Sequence, residues 1–398
     1  MIEDRWRYFA PGGAITPGGP STWYILDWDQ RRVIAVTMDE EQESEDVAVE
    51  HLKKHINDIG PGVYAIHLSP DGTIISTSTD PEDDATACPY YPPLQDVHRP
   101  DHIETVLRSE LRELDRLSPN VDLVSYTPHP ETPTESKTVI FKYYFLTQFY
   151  DRLWNEMNLW MRLPPHPNIV PFDRLVLEEV NRCVVGFTNK YIPGGTVDEN
   201  KRRGFKLKWL KQLLHVVDDL NLQYGIMHQD IAARNLVIDP GTDELMLFDF
   251  NYSARIGDIG YSQDRNDIKG VAFTLYEIIT RDYHFRKVPH ERQNTADIEG
   301  VDWVKQDDVA LDHPVSEYRS VLNEWVKKRR QGNQITIYTE APQYLEWPAF
   351  PTPPTTRLFA DVYGPAWITM RRNKERGTLV EWERPPQAQT RLSSVQQQ

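Results

Sequence analysis

The sequence predicts an α+β protein of bilobal build, with a small sheet lobe carrying one helix, a larger helical lobe, and a small α/β module ahead of both. Three observations carry this expectation. Between residues 121 and 192, apolar runs of strand type bracket a single helical stretch. After "PGG" at 193–195 the apolar residues recur at helical spacing instead. The first hundred residues hold a strand and helix pattern of their own.

That first stretch is taken as residues 1–98, an accessory or protein-contact module with its linker. "TWYILDWDQRRVIAVTMD" reads as two strands around an Asp-Gln turn, and "GVYAIHLSPDGTIISTST" as two more around "SPDG". Between them "SEDVAVEHLKKHINDIG" sets Val49, Leu52 and Ile56 on one helical face and ends at Gly60. "DPEDDATACPYYPPLQDVHRP", rich in proline and acid, reads as the linker.

Residues 99–335 form the main domain. "DHIETVLRSELRELDRL" reads as a helix with Ile103, Leu107, Leu111 and Leu114 along one stripe. "VDLVSY" and "TVIFKYYF" read as strands, "FYDRLWNEMNLWMRL" as a helix, and "FDRLVLEEV" and "CVVGFTNKYI" as strands. "FKLKWLKQLLHVVDDLNLQYG" then puts Leu207, Leu210, Leu214 and Val217 on one face and stops at Gly225. "VSEYRSVLNEWVKKRR" reads as a late packing helix whose basic end suits the helix dipole. Residues 336–398 are a Pro-rich extension, expected to be part extended and part disordered.

Bulk properties narrow the function. Of 398 residues 39% are hydrophobic and 11% aromatic, which excludes wholesale disorder. A formal charge of −16 repels phosphate backbones and anionic membranes, so nucleic acid is not an expected partner. Cys88 and Cys183 provide neither a disulfide framework nor a CxxC spacing. No apolar run reaches the roughly 18 residues of a membrane span, and "IEDRWRYFAPGG" has no signal-peptide core. A cytoplasmic or nuclear location is the expectation.

The chemistry lies in a series of local patterns. Moving a γ-phosphoryl group needs charge neutralisation, metal ligands and a group that orients the attacking oxygen. Lys142 ends the strand-like "VIFK" and could hold phosphates as a point charge. Glu156 in the next helix could pair with it. Asp230, two places after His228, could orient a hydroxyl or accept its proton, and Asn235 and Asp249 supply hard oxygen ligands suited to Mg²⁺.

These residues resemble the protein-kinase fold over roughly residues 105 to 335. "HQDIAARN" resembles its catalytic loop, nearest the tyrosine-kinase version, and "LFDFN" its metal-binding turn. "TNKYIPGG" resembles the hinge that receives adenine, which puts Asn189 at the gatekeeper place and Lys190, Tyr191 and Ile192 at the hinge. "DIKGVAFTLYEIIT" resembles the buried helix whose opening acid, Asp267, braces the catalytic loop. Within that fold "KYYF", "HQDIA" and "FDFN" are most similar to atypical kinase-like proteins of filamentous fungi. The resemblance implies ATP and Mg²⁺ as cofactors, Lys142, Glu156 and Asp230 as catalytic residues, Asn235 and Asp249 as metal ligands, and Lys142 with residues 189–192 as the ATP site.

Four departures qualify it. No glycine lies between Gly72 and Gly186, so a glycine-rich cover over the phosphates is missing, rebuilt from "RLSPNVDLVSY" or replaced by the N-terminal module. Gln229 stands where many kinases have the Arg that receives an activating phosphate, and a neutral hydrogen-bonding spacer suffices there. Asn251 replaces the glycine of the metal-binding turn and tolerates left-handed backbone. Asp267 follows Asp249 too closely, with no "APE" between, for the usual peptide platform. The expected function is an atypical ATP-dependent phosphotransferase acting on a hydroxyl of a protein Ser, Thr or Tyr. The alternatives are a pseudokinase serving as scaffold or nucleotide sensor, and a small-molecule kinase.

Overall fold

The computed structural model describes residues 2–86, 89–128, 136–145, 150–332, 334–351 and 382. Cys88, and the extension beyond 351 apart from Trp382, lie outside the described residues. The architecture is mixed α+β.

After a helical turn α1 (Asp4–Arg7), strands β1 (Tyr8–Ile15), β2 (Ser21–Asp27), β3 (Arg32–Met38), β4 (Ala65–Leu68) and β5 (Ile74–Ser78) form a five-stranded sheet in that order. β3 and β4 run parallel, and helix α2 (Asp46–His55) supplies the crossover that a parallel pair requires. Ala48, Leu52 and Ile56 pack against Ile25, Ile34, Val36, Ile66 and Leu68, which closes a small core of its own. The first strand, broken by "PGG" in its sequence, was not anticipated.

A second sheet of six strands has the order β6-β10-β11-β9-β8-β7. Its members are β6 (Glu104–Leu107), β7 (Arg112–Ser118), β8 (Val121–Tyr126), β9 (Lys137–Tyr143), β10 (Phe172–Leu177) and β11 (Val184–Lys190), with helix α3 (Tyr150–Trp160) between β9 and β10. The expected helix over 101–117 is therefore wrong: that stretch is β6, a short 3-10 turn and β7. The apolar stripe has helical spacing, but Leu114 is exposed while Glu113 and Arg116 are buried. Their buried partners, described next, and the ladder to β8 outweigh the local periodicity.

The remainder is mostly helical. α4 (Leu207–Asp218) runs on through a π-turn over Asp219–Gln223, buries Leu207, Leu210, Leu214 and Val217 as anticipated, and gives way at Gly225. Two small two-stranded sheets follow, β12 (Ile226–Met227) with β15 (Ala254–Arg255), enclosing the hairpin β13 (Leu236–Asp239) with β14 (Glu244–Leu247). α5 (Asp267–Thr280) is buried on nearly every side from Val271 on, as its almost wholly apolar sequence demands. α6 (Ala296–Glu299) and α7 (Val315–Gln331) complete the element order.

The N-terminal sheet does not hang on a loose tether. Leu26 and Val33 belong to the large core, together with Tyr91 and Val97 from the stretch read as linker. At the tip of the β2–β3 hairpin, Arg31 adopts left-handed backbone (φ 48°) and is buried against β7–β9. Its Nε donates to the Tyr143 hydroxyl at 2.7 Å and its Nη2 to Glu113 at 3.3 Å and to Asp122. Arg116 donates to the same Glu113 at 3.2 Å. Two buried cations thus meet two buried carboxylates across the two sheets.

Candidate functional site

β9 holds Lys142 on the face it shares with Ile140, and the residues paired opposite them in β11, Phe187 and Asn189, point the same way. The Lys142 ammonium donates to Glu156 Oε1 at 2.8 Å and to Asp249 Oδ1 at 2.5 Å. Three elements meet at one nitrogen: a strand, helix α3 and the turn after β14. Glu156 is fully enclosed, whereas the Asp249 side chain keeps 23% of its surface open.

Charge explains the protonation of this trio. Burial opposes the Lys142 cation, but Asp249 and Glu156 outweigh it and raise its pKa. Burial also works against an Asp249 anion, and the Lys142 ammonium overcomes it, so the carboxyl stays below its ordinary range. One ammonium cannot neutralise two carboxylates, and the deeper one gives way: burial pushes Glu156 up to about 7.

The loop between β12 and β13 carries the second group. Asn235 Nδ2 donates to the Asp230 carbonyl and to Asp230 Oδ2, both at 2.8 Å. With both its hydrogens engaged, Asn235 has its Oδ1 left as a metal-ligand atom. Arg234, half-exposed, donates through Nη2 to both Asp230 oxygens at 2.5 and 2.8 Å. Its charge also favours the Asp249 anion, which links the two groups electrostatically. Arg234 was not assigned a role from the sequence, although its i,i+4 spacing from Asp230 was the available signal.

Below this loop, Asp267 accepts the amides of His228 and Gln229, each at 2.7 Å, and Asn221 Nδ2 at 2.9 Å, so it braces the loop as expected. His228 is fully buried, with Nε2 3.1 Å from the Phe248 carbonyl, a structural position. Gln229 sits at φ 64° and makes three contacts. It donates to the carbonyls of Tyr252 (2.6 Å) and Gly260 (2.9 Å) and accepts the Ser262 amide at 2.5 Å. An arginine could not accept that amide.

Two expectations shift in detail. The left-handed residue of the turn after β14 is Asp249 itself, at φ 65°, and not Asn251. At the hinge, the Lys190 amide is committed to the Pro171 carbonyl (2.9 Å) and its ammonium to Asp239 (3.0 Å). Asn189 and Ile192 are buried, and the amides of Tyr191 and Ile192 remain the candidate donors of that stretch.

The stretch "RLSPNVDLVSY" forms a tight hairpin. β7 and β8 join through a two-residue turn, Pro119-Asn120, with Asn120 at φ 61° doing the work of a glycine. Val121 pairs directly with Lys142, so the hairpin turns back level with the ammonium.

A second set, His166, His215 and Asp219, has the mutual spacing of metal ligands. His166 Nδ1 accepts the Asn168 amide at 3.0 Å, so Nε2 bears the hydrogen it shares with Asp219 at 3.1 Å. That tautomer leaves no lone pair for a metal, and burial lowers the pKa of the ring, keeping it neutral.

No known family model matches the chain, and no characterised protein matches it in sequence. Among the described residues no helix is long and apolar enough to cross a membrane.

Proposed function

We propose that the six-stranded sheet with α3, and the helical remainder, are the two lobes of a protein-kinase-like fold, and that the protein transfers the γ-phosphate of MgATP to a hydroxyl. The observation that carries this reading is the single ammonium of Lys142 bridging Glu156 and Asp249. The Asp230–Asn235 pair on the adjoining loop supports it.

The donor set fits Mg²⁺. Asn235 Oδ1 and the open edge of Asp249 are hard oxygens of the kind that hold a divalent cation. When held by Asn235 and Asp249, Mg²⁺ would supply the positive charge that offsets the phosphates. Lys142 then holds the phosphates from the sheet side, with Glu156 fixing its direction. Asp230 serves as base: the acceptor's hydroxyl oxygen bonds to the γ-phosphorus, the bond from that phosphorus to the β–γ bridging oxygen breaks, ADP leaves, and the hydroxyl proton passes to the Asp230 carboxylate. Arg234 holds that carboxylate in place. The acceptor is a protein or small-molecule hydroxyl.

A nucleotide-sensing reading without transfer draws on one observation, the hairpin that ends level with Lys142. Labelled ATP with Mg²⁺ separates the two. Transfer by the wild type, lost in Asp230→Asn and Asp249→Ala, is the expected outcome. Binding without transfer would favour the sensor, and transfer that survives both substitutions would refute the assignment.

A further inference from the structure

Glu156 serves Lys142 only if α3 is held against the sheet. The C-terminal half of α3 is anchored by the core: Trp160 Nε1 donates to the Val170 carbonyl at 2.7 Å, and its ring meets Phe187 and Phe250 at 5.8 and 5.1 Å. The N-terminal half also enters the core, through Leu153 and Trp154, and is gripped from outside as well. Trp154 Nε1 donates to the Pro348 carbonyl at 2.9 Å, and the Phe350 ring lies edge-on to Trp154 at 5.5 Å. Trp347 Nε1 reaches Asn155 at 3.3 Å. Trp154 and Asn155 immediately precede Glu156, and all three partners belong to the Pro-rich stretch after α7.

The same stretch is tied at its other end to the site's own loops. The Tyr338 amide donates to the Ile256 carbonyl at 2.8 Å, and the Gln343 amide to the Gln223 carbonyl at 2.9 Å. Tyr338 and Trp347 place their rings over the Arg255 guanidinium at 4.9 and 4.6 Å. Two glycines make room for it. A Cβ on Gly225 would come within 2.6 Å of the Tyr338 carbonyl, and one on Gly257 within 2.7 Å of the Thr336 carbonyl. Both also have left-handed backbone. Gly225 precedes the Asp230 loop and Gly257 follows Asp249. Arg152 completes the grip, lying over Tyr252 at 5.0 Å.

We infer that residues 336–350 are a built-in brace that positions Glu156 by pinning the first half of α3 to the segment after Asp249. Trp347 and Phe350 are its positioning residues. The consequence for catalysis rests on the phosphotransferase reading; the mechanical claim does not. Releasing the brace leaves Lys142 with Asp249 but without a fixed Glu156, and a misplaced group of this kind costs roughly ten- to a hundredfold in rate.

The test uses the full chain with W347A/F350A, with Asn155→Ala as a milder variant at an exposed position, and with Glu156→Gln alone and combined with W347A/F350A. Deuterium uptake over residues 150–160 and phosphate transfer from labelled ATP are the readouts. Expected are faster uptake in α3 but not α5, and a fall in kcat that adds nothing in the Glu156→Gln background. Asn155→Ala should move α3 in the same direction by less. Unchanged α3 uptake in both brace variants overturns the inference, as does a kcat loss fully additive with Glu156→Gln. A wild type that transfers no phosphate would sink the phosphotransferase reading, and α3 uptake would still decide the brace.

Discussion

At the scale of single residues, Glu156 is the side chain whose state governs the site, because it is the enclosed member of a trio with one cation. Burial holds its pKa near 7, against 4.5 for an ordinary glutamate. A raised carboxyl pKa means that, between those values, the folded state keeps a proton the unfolded state has lost. Stability therefore falls as pH rises through that window. Asp249 has the opposite sign: its lowered pKa contributes stability that is lost only on acidification below the ordinary carboxylate range. In the proposed phosphotransferase the Glu156 anion positions Lys142, so transfer should rise while stability declines from pH 5 to 7.5. Urea melts and transfer rates at the two ends check this, and Glu156→Gln should flatten the stability trend. Much of the site at this scale was legible in the sequence because each motif is local: Lys142 closes a strand, and Asp230 and Asn235 share one loop. The backbone torsions were less so. Asn251 is the residue a reader would choose for left-handed backbone, yet Asp249 takes it, since the carboxylate must turn back toward Lys142.

At the scale of elements, the strands and helices that bury a full apolar face, such as α4, α5 and β8–β11, could be read directly. The stretch over 101–117 could not, because its fate depends on charges from elsewhere in the chain. Glu113 and Arg116 are strand residues here because Arg31, over eighty positions earlier, waits on the far side of β7. Removing that cation should be costly. Arg31→Met leaves Asp122 and Glu113 buried beside Arg116 alone, and breaking a buried ion pair from one side costs about 3–5 kcal/mol. Denaturant unfolding measures it. A loss below about 1 kcal/mol, the range of exposed pairs, would show that the hairpin tip does not lock the two sheets together.

At the scale of the whole molecule, the three stretches that looked separable in sequence are packed as one. The β2–β3 hairpin rests on the strand that bears Lys142, the supposed linker contributes Tyr91 and Val97 to the main core, and the Pro-rich stretch after α7 reaches α3. Such long-range docking leaves little periodic trace, because its contacts fall on isolated residues such as Arg31, Trp154 and Trp347. Gln229 ties the short segment after Asp249 to the Asp230 loop through three hydrogen bonds, without a phosphate. The central claim is that side chains from β9, α3, the Asp230 loop and the turn at Asp249 surround one magnesium-bound triphosphate. The melting temperature with and without millimolar MgATP tests it most directly, since a ligand bound only by the folded state raises stability. The account predicts a clear rise for the wild type and none for Lys142→Ala or Asp249→Ala; a wild type that does not move, or variants that rise equally, would contradict it.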